Sequence, residues 1–205
     1  MTTPYIVLEG IDGCGKDSHA AQLRSHFQHR GMTPLVVNEP CDLYEHGRLL
    51  RKMLQTGTFV EAHVAMFLAD RMSLLTREVK PALEAGRPVI SARSFCSTLV
   101  YQQENWPLNW LFSIHEMLPA KPTHIFILDI PAEEAVNRIH QRSKGEGTIV
   151  EHYEKKDILE RARQRYLALV KDPRMKNFLA DGGGIHVVDS TGSPSEVHRN
   201  IEELL

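Results

Sequence analysis

Residues 5–18 read Tyr5-Ile6-Val7-Leu8-Glu9-Gly10-Ile11-Asp12-Gly13-Cys14-Gly15-Lys16-Asp17-Ser18. A short apolar strand runs straight into Gly10-x-x-x-x-Gly15-Lys16, the spacing of a phosphate-binding loop. Its glycines let the backbone curl so that successive N–H groups point inward, and the helix that follows adds its positive end. The loop therefore suits a polyphosphate, with Lys16 expected to bridge the outer phosphates. The next position normally carries a Ser or Thr hydroxyl that holds Mg²⁺; here it is Asp17. A hard cation accepts carboxylate oxygen readily, yet this carboxylate also adds negative charge beside an anionic ligand.

Four further short β-branched runs follow, at Pro34–Asn38, Pro88–Ser91, His124–Asp129 and Ile185–Asp189, each separated from the next by enough chain for a helix. Strands alternating with helices predict a parallel α/β sheet, because parallel neighbours need crossover connections, and right-handed crossovers cover both faces. Ligands then gather at the carboxyl ends of the strands. The long stretch Leu43–Arg87 predicts at least two helices, with Gly47 and Gly57 as breaks. Ser143–Val150 is short, polar and glycine-containing, and predicts a mobile lid at about residues 143–152.

The 205 residues make one domain, large enough for a real core. Lys plus Arg number 24 against 26 Asp plus Glu, so no polybasic surface favours nucleic acid or anionic lipid. Small molecules are the expected partners. Cys14, Cys41 and Cys96 are too few and too scattered for a disulfide framework, and no apolar run approaches the roughly 20 residues that span a bilayer. A cytoplasmic location with no membrane contact is the expectation.

Residues near the strand ends carry chemistry, and each also has a plain structural reading. Asp12, inside the loop, can meet a sugar hydroxyl or stabilise a turn. Glu39, at the end of the second strand, can reach a metal-bound water or cap a helix. Arg93 follows the third strand and can grip a phosphate bidentately, with Ser97, Thr98 and Tyr101 spaced along a helix beside it. Phe67 and Arg71 are four apart and can stack on a base and hydrogen-bond its rim, or be a core Phe and a surface Arg. Cys14 can have a lowered thiol pKa at the helix start, or simply be a small residue that fits. Trp106 and Trp110 read as packing. The eleven histidines show no metal-ligand spacing and read as surface or packing residues.

Taken together, Leu8 to Lys16, Glu39-Pro40, Gly47 to Arg51, Phe67-Leu68-Ala69-Asp70-Arg71, Arg93 to Gln102, Leu128 to Pro131, Arg138 to Arg142 and Val188-Asp189-Ser190 resemble the thymidylate kinase family of P-loop nucleoside monophosphate kinases. The resemblance implies a three-layer P-loop NTPase fold, a five-stranded parallel sheet with helices on both faces and a short lid. It implies transfer of the ATP γ-phosphoryl to dTMP, with Mg²⁺, in a homodimer. Gly10 to Ser18 would hold ATP, and Arg93, supported by Arg51, the acceptor phosphate. Phe67 would stack on thymine, Arg71 meet its O4 edge, and Ser97 or Thr98 its pyrimidine edge. Asp12 would meet the 3′-hydroxyl and Tyr101 crowd the 2′ position. Relatives with no arginine after the loop Asp take a cation from the lid; Gly13 stands there, so Arg142 and Lys144 are the candidates.

The departures are specific. Where the family has Asp before the strand-three Arg, this chain has Ser91-Ala92-Arg93, and the carboxylate expected near the metal is missing. Asp17 has gained one beside the same expected ion, which suggests relocation of the metal-side carboxylate. Asn38 replaces a frequent Arg, and Cys41-Asp42 a small glycine pair. These changes leave open a kinase for another or a modified pyrimidine nucleotide, or a nucleotide-binding protein without turnover.

Overall fold

The computed structural model describes residues 3–146 and 155–205, with residues 143–146 described by backbone alone. Five strands, β1 (Tyr5–Glu9), β2 (Leu35–Asn38), β3 (Val89–Ala92), β4 (His124–Asp129) and β5 (Gly184–Asp189), form one parallel sheet in the order β2-β3-β1-β4-β5. Their burial follows from that order. Central β1 and β3 are buried at every residue and read as largely apolar runs, whereas β2 and β5 at the edges are only partly covered.

Helices α1 (Lys16–His29), α2 (Glu45–Thr56), α3 (His63–Leu74), α4 (Lys80–Glu84), α5 (Phe95–Tyr101), α6 (Leu108–His115), α7 (Ala132–Glu146), α8 (Lys156–Lys171) and α9 (Pro194–Glu202) make the crossovers and close the chain. The β1–β2 connection runs one way along the sheet and the later connections run back. Right-handed crossovers therefore put α1 on one face and the later crossover helices on the other. Packing agrees: α1 touches β1, β3 and α9, while α8 touches β4, β5 and α5. The three-layer α/β fold expected from the sequence is the observed one. No helix among the described residues is long and apolar enough to cross a membrane.

Two expectations about local structure change. Gly57 does end α2, but Gly47 breaks nothing: it lies buried in that helix's first turn. A side-chain carbon at Gly47 would collide with the Cys41 carbonyl oxygen and the Asp70 carboxylate, so this glycine is there for close approach. Of the predicted lid at about 143–152, residues 143–146 continue α7 as helix, and residues 147–152 lie outside the described residues.

Candidate active site

Strand register assembles the site. Leu8 pairs with Ala92, and Ala92 with Asn38, so the residues just beyond them, Glu9-Gly10, Arg93 and Glu39, emerge at one sheet edge. Two cavities open there and abut. Asp12, Glu39, Arg51 and Arg93 line both.

The first cavity is bounded by Gly13, Gly15, Lys16, Asp17, Ser18, Arg138, Arg142 and Ser190. Lys16 is buried and its ammonium donates to the Gly10 and Ile11 carbonyls, each at 2.9 Å, which folds it along the loop. Asp17 is exposed on the wall in the first turn of α1, and Ala92 lines the same space. Gly13 has a φ of 83°, and a side chain on it would strike the Ala135 backbone of α7. An arginine is excluded there on both counts, and Arg142 reaches the cavity from α7 instead. Ser190 Oγ donates to the Cys14 carbonyl at 2.7 Å and Arg138 to the Ser190 carbonyl at 3.0 Å, joining the loop to the turn after β5. Cys14 is fully buried; burial pushes its thiol up, so the lowered pKa that a helix start could give does not arise.

At the junction, Arg93 pairs with Asp12 through Nη2, and Lys16 Nζ lies 3.9 Å from the same carboxylate. Burial alone would raise the Asp12 pKa; the charges of Arg93 and Lys16 outweigh it and hold the carboxyl below its ordinary value. Asp12 thus holds an arginine instead of simply stabilising its turn. Arg93 has a φ of 74°, fixed by its N–H to the Leu8 carbonyl at 2.9 Å and by Ser91 Oγ, which donates to the Arg93 carbonyl at 2.8 Å.

The second cavity is lined by Leu54, Phe67, Arg71, Ser94, Ser97, Tyr101 and Gln102. The reading of Phe67 and Arg71 as a core Phe and a surface Arg is reversed. Phe67 is partly exposed on the cavity, and Arg71 is 1% exposed. Its guanidinium has three partners: Glu39, with Nη2–Oε2 at 2.6 Å; His115, with Nη1–Nε2 at 2.7 Å; and Thr98 Oγ1 at 3.2 Å. Arginine only donates, so His115 Nε2 accepts, and its Nδ1–H donates to the Leu111 carbonyl at 2.6 Å. Burial and the Arg71 charge push the His115 pKa down to about 3, which keeps the ring in this neutral tautomer. Thr98 does not line the cavity; it braces Arg71 from behind, so of the two expected edge contacts only Ser97 reaches the space. Glu39 is not a helix cap, because its carboxylate is spent on Arg71.

Burial, opposed by Arg71, raises the Glu39 pKa from 4.5 to about 7. The folded state therefore binds this proton more tightly than the unfolded chain. The group contributes stability that is complete below about pH 4.5 and lost as the pH rises through about 7. From pH 5 to 8 the wild type should lose about 2–3 kcal/mol that Glu39→Gln does not lose. Urea denaturation of both proteins across that range measures the difference, and parallel curves would show that Glu39 does not titrate there.

Glu9 is a site residue that strand patterning alone does not reveal. Fully buried at the end of β1, it accepts from Ser94 Oγ (2.8 Å), Ser97 N (3.2 Å), Ser97 Oγ (2.8 Å) and Tyr166 O–H (2.9 Å). It locks the start of α5 against β1 and α8, directly beneath the second cavity. The signal was a charge ending an apolar strand, which needs buried donors from elsewhere. His115 and His19, the latter buried on the first cavity's wall, likewise have no sequence signal beyond that of packing or surface residues. The Lys144 side chain lies outside the described residues. Trp106 and Trp110 stack on each other, ring centroids 4.8 Å apart; Trp106 packs against the core as expected, whereas Trp110 is exposed.

A family model described as thymidylate kinase matches residues 8–201. Curated relatives named "Probable thymidylate kinase" include one from Thermococcus kodakarensis, 36% identical over 89% of this chain and 93% of its own length. Others come from Pyrococcus horikoshii, 32% identical over 98% and 95%, and Methanosarcina acetivorans, 33% identical over 100% and 96%.

Proposed function

The chain belongs to the thymidylate kinase family, and from that premise we propose that it moves the γ-phosphoryl group of ATP to dTMP, giving ADP and dTDP. The observation that carries this reading is the pair of abutting cavities. One is walled by a phosphate loop and the other by an aromatic ring and a buried arginine, and they share Arg93 and Asp12 at the junction. Direct transfer between two nucleotides needs such a shared boundary, and no covalent intermediate is called for.

Each residue then has a task. The loop amides and Lys16 hold the ATP phosphates; Arg138 and Arg142 bring positive charge from α7 to the same cavity. Arg93, placed where the cavities meet, grips the acceptor phosphate and offsets charge on the transferred group, with Arg51 alongside. Phe67 stacks on the pyrimidine. Arg71, immobilised by Glu39, His115 and Thr98, presents a fixed hydrogen-bonding edge to its O4 side, so little ordering entropy is lost on binding. Tyr101 crowds the sugar and disfavours a 2′-hydroxyl. The donor set also fits Mg²⁺, a hard cation, because Asp17 offers carboxylate oxygen on the cavity wall beside the loop. When bound, Mg²⁺ would neutralise phosphate charge.

A coupled assay of ADP release with dTMP, dUMP, dCMP and dGMP, with and without Mg²⁺, tests the reading. ADP should form with dTMP and only with Mg²⁺. A preference for another pyrimidine monophosphate would move the assignment to that substrate, and ADP at background with every acceptor would mean a nucleotide-binding protein without turnover.

A further inference from the structure

We propose that His26, His198 and Glu202 form a binding site for a divalent d-block ion, remote from the phosphate chemistry, at the seam between α1 and α9. His198 and Glu202 are four apart on α9, whereas His26 is distant from both in sequence; the histidine spacing gives no hint of the set, and the fold brings His26 to the pair. His26, near the end of α1, presents Nδ1 to Glu202 Oε1. His198, one turn before Glu202 on α9, presents Nε2 to the same oxygen at 3.1 Å. The three potential ligand atoms lie within 4.8 Å of one another. Ligands sharing a tetrahedral ion at about 2.0–2.1 Å sit about 3.4 Å apart, so only small side-chain movements are needed.

The chemistry of the set selects the ion. Two imidazoles and one carboxylate favour Zn²⁺, Co²⁺ or Ni²⁺ over Mg²⁺, whose preference is for oxygen. With three protein ligands, the remaining position is left to solvent, and Glu202, whose side chain is 34% exposed, keeps the cluster accessible. The far ring nitrogens, His26 Nε2 and His198 Nδ1, are buried without a hydrogen-bond partner. Such outer partners strengthen a metal–imidazole site by about 10–100-fold, so this site is the weaker without them. The consequence concerns the fold around the first cavity. α1 carries Lys16 and Asp17, and the amino-terminal end of α9 supplies Pro194 and Val197 to the same wall. An ion at the seam would tie together the two helices that bracket that cavity.

The test uses tag-free full-length protein, stripped with chelator and titrated with Co²⁺ in the absence of nucleotide and Mg²⁺. One equivalent should give a visible d–d band that Zn²⁺ abolishes by displacement. His26→Gln and His198→Gln should each weaken binding at least about 100-fold, the effect of losing a direct ligand exceeding that of an outer partner. His186→Gln, which alters the His124–His186 pair on the sheet, should change nothing. Zn²⁺ at 100 times its Kd should raise the wild-type Tm by about 5–10 °C and that of His198→Gln by no more than about 2 °C. No band from wild-type protein at millimolar Co²⁺, or an unchanged band in both His26→Gln and His198→Gln, would overturn the proposal. Because no nucleotide is present, the result is independent of the kinase reading.

Discussion

Arg93→Gly should lower kcat for dTMP phosphorylation by about 10³-fold at a much smaller cost in stability than Arg93→Met, since a positioned cation on a transferring phosphoryl group contributes rate enhancement on that scale. The two halves of this expectation come from the same residue. Its φ of 74° lies in a region that side chains rarely adopt, and such strain costs about 1–3 kcal/mol. Glycine relieves that strain, which offsets part of the loss of the ion pair with Asp12, a mostly buried contact whose carboxylate keeps Lys16 nearby. On the proposed reading, activity, in contrast, depends on the guanidinium, which among the described residues lines both cavities while paired to a carboxylate of the phosphate loop. Arg93→Met separates the effects: it loses the same activity but retains the strain, so it should be the less stable of the two. Steady-state kinetics and urea denaturation of both variants decide the matter. Activity within tenfold of wild type would remove Arg93 from the reaction.

The strained arginine also shows where sequence reading reaches its limit. All five strands are legible to within about one residue at each end, because β-branched runs between helix-length segments report burial directly. Arg93 is legible as the residue following a buried strand. What cannot be read is the partner of a buried polar group. Arg71 looks like half of an i, i+4 pair with Phe67, yet its guanidinium is fixed by residues 32, 44 and 27 positions away. Glu9 likewise binds Tyr166 across 157 positions. Periodicity says which face a side chain takes and is silent about what meets it there. Gly47 misleads for a related reason: a glycine needed for close approach inside a helix has the same sequence signature as one that ends a helix.

Asp17 and Ala92 form the second large expectation, and the fold sharpens it. Both line the first cavity, Asp17 from the start of α1 and Ala92 from the end of β3, with Asn38 and Glu39 on the same wall. Glu39 is committed to Arg71 at 2.6 Å, so it cannot readily supply the carboxylate missing at position 92. Asp17 can, being exposed on that wall. Asp17→Ser should therefore lower kcat by about 10²–10³-fold, the cost of one electrostatic contact in a phosphoryl-transfer site. Ala92→Asp alone should also lower activity, because it crowds a second carboxylate into a cavity built for phosphates. The double variant should regain most of the wild-type rate and shift the Mg²⁺ dependence back toward it, since the charge returns to the strand end as it leaves the loop. The cycle measures a coupling between two positions that face one space. Additive losses would mean that Asp17 and Ala92 act independently, and that the loop carboxylate is no substitute for one at the end of β3.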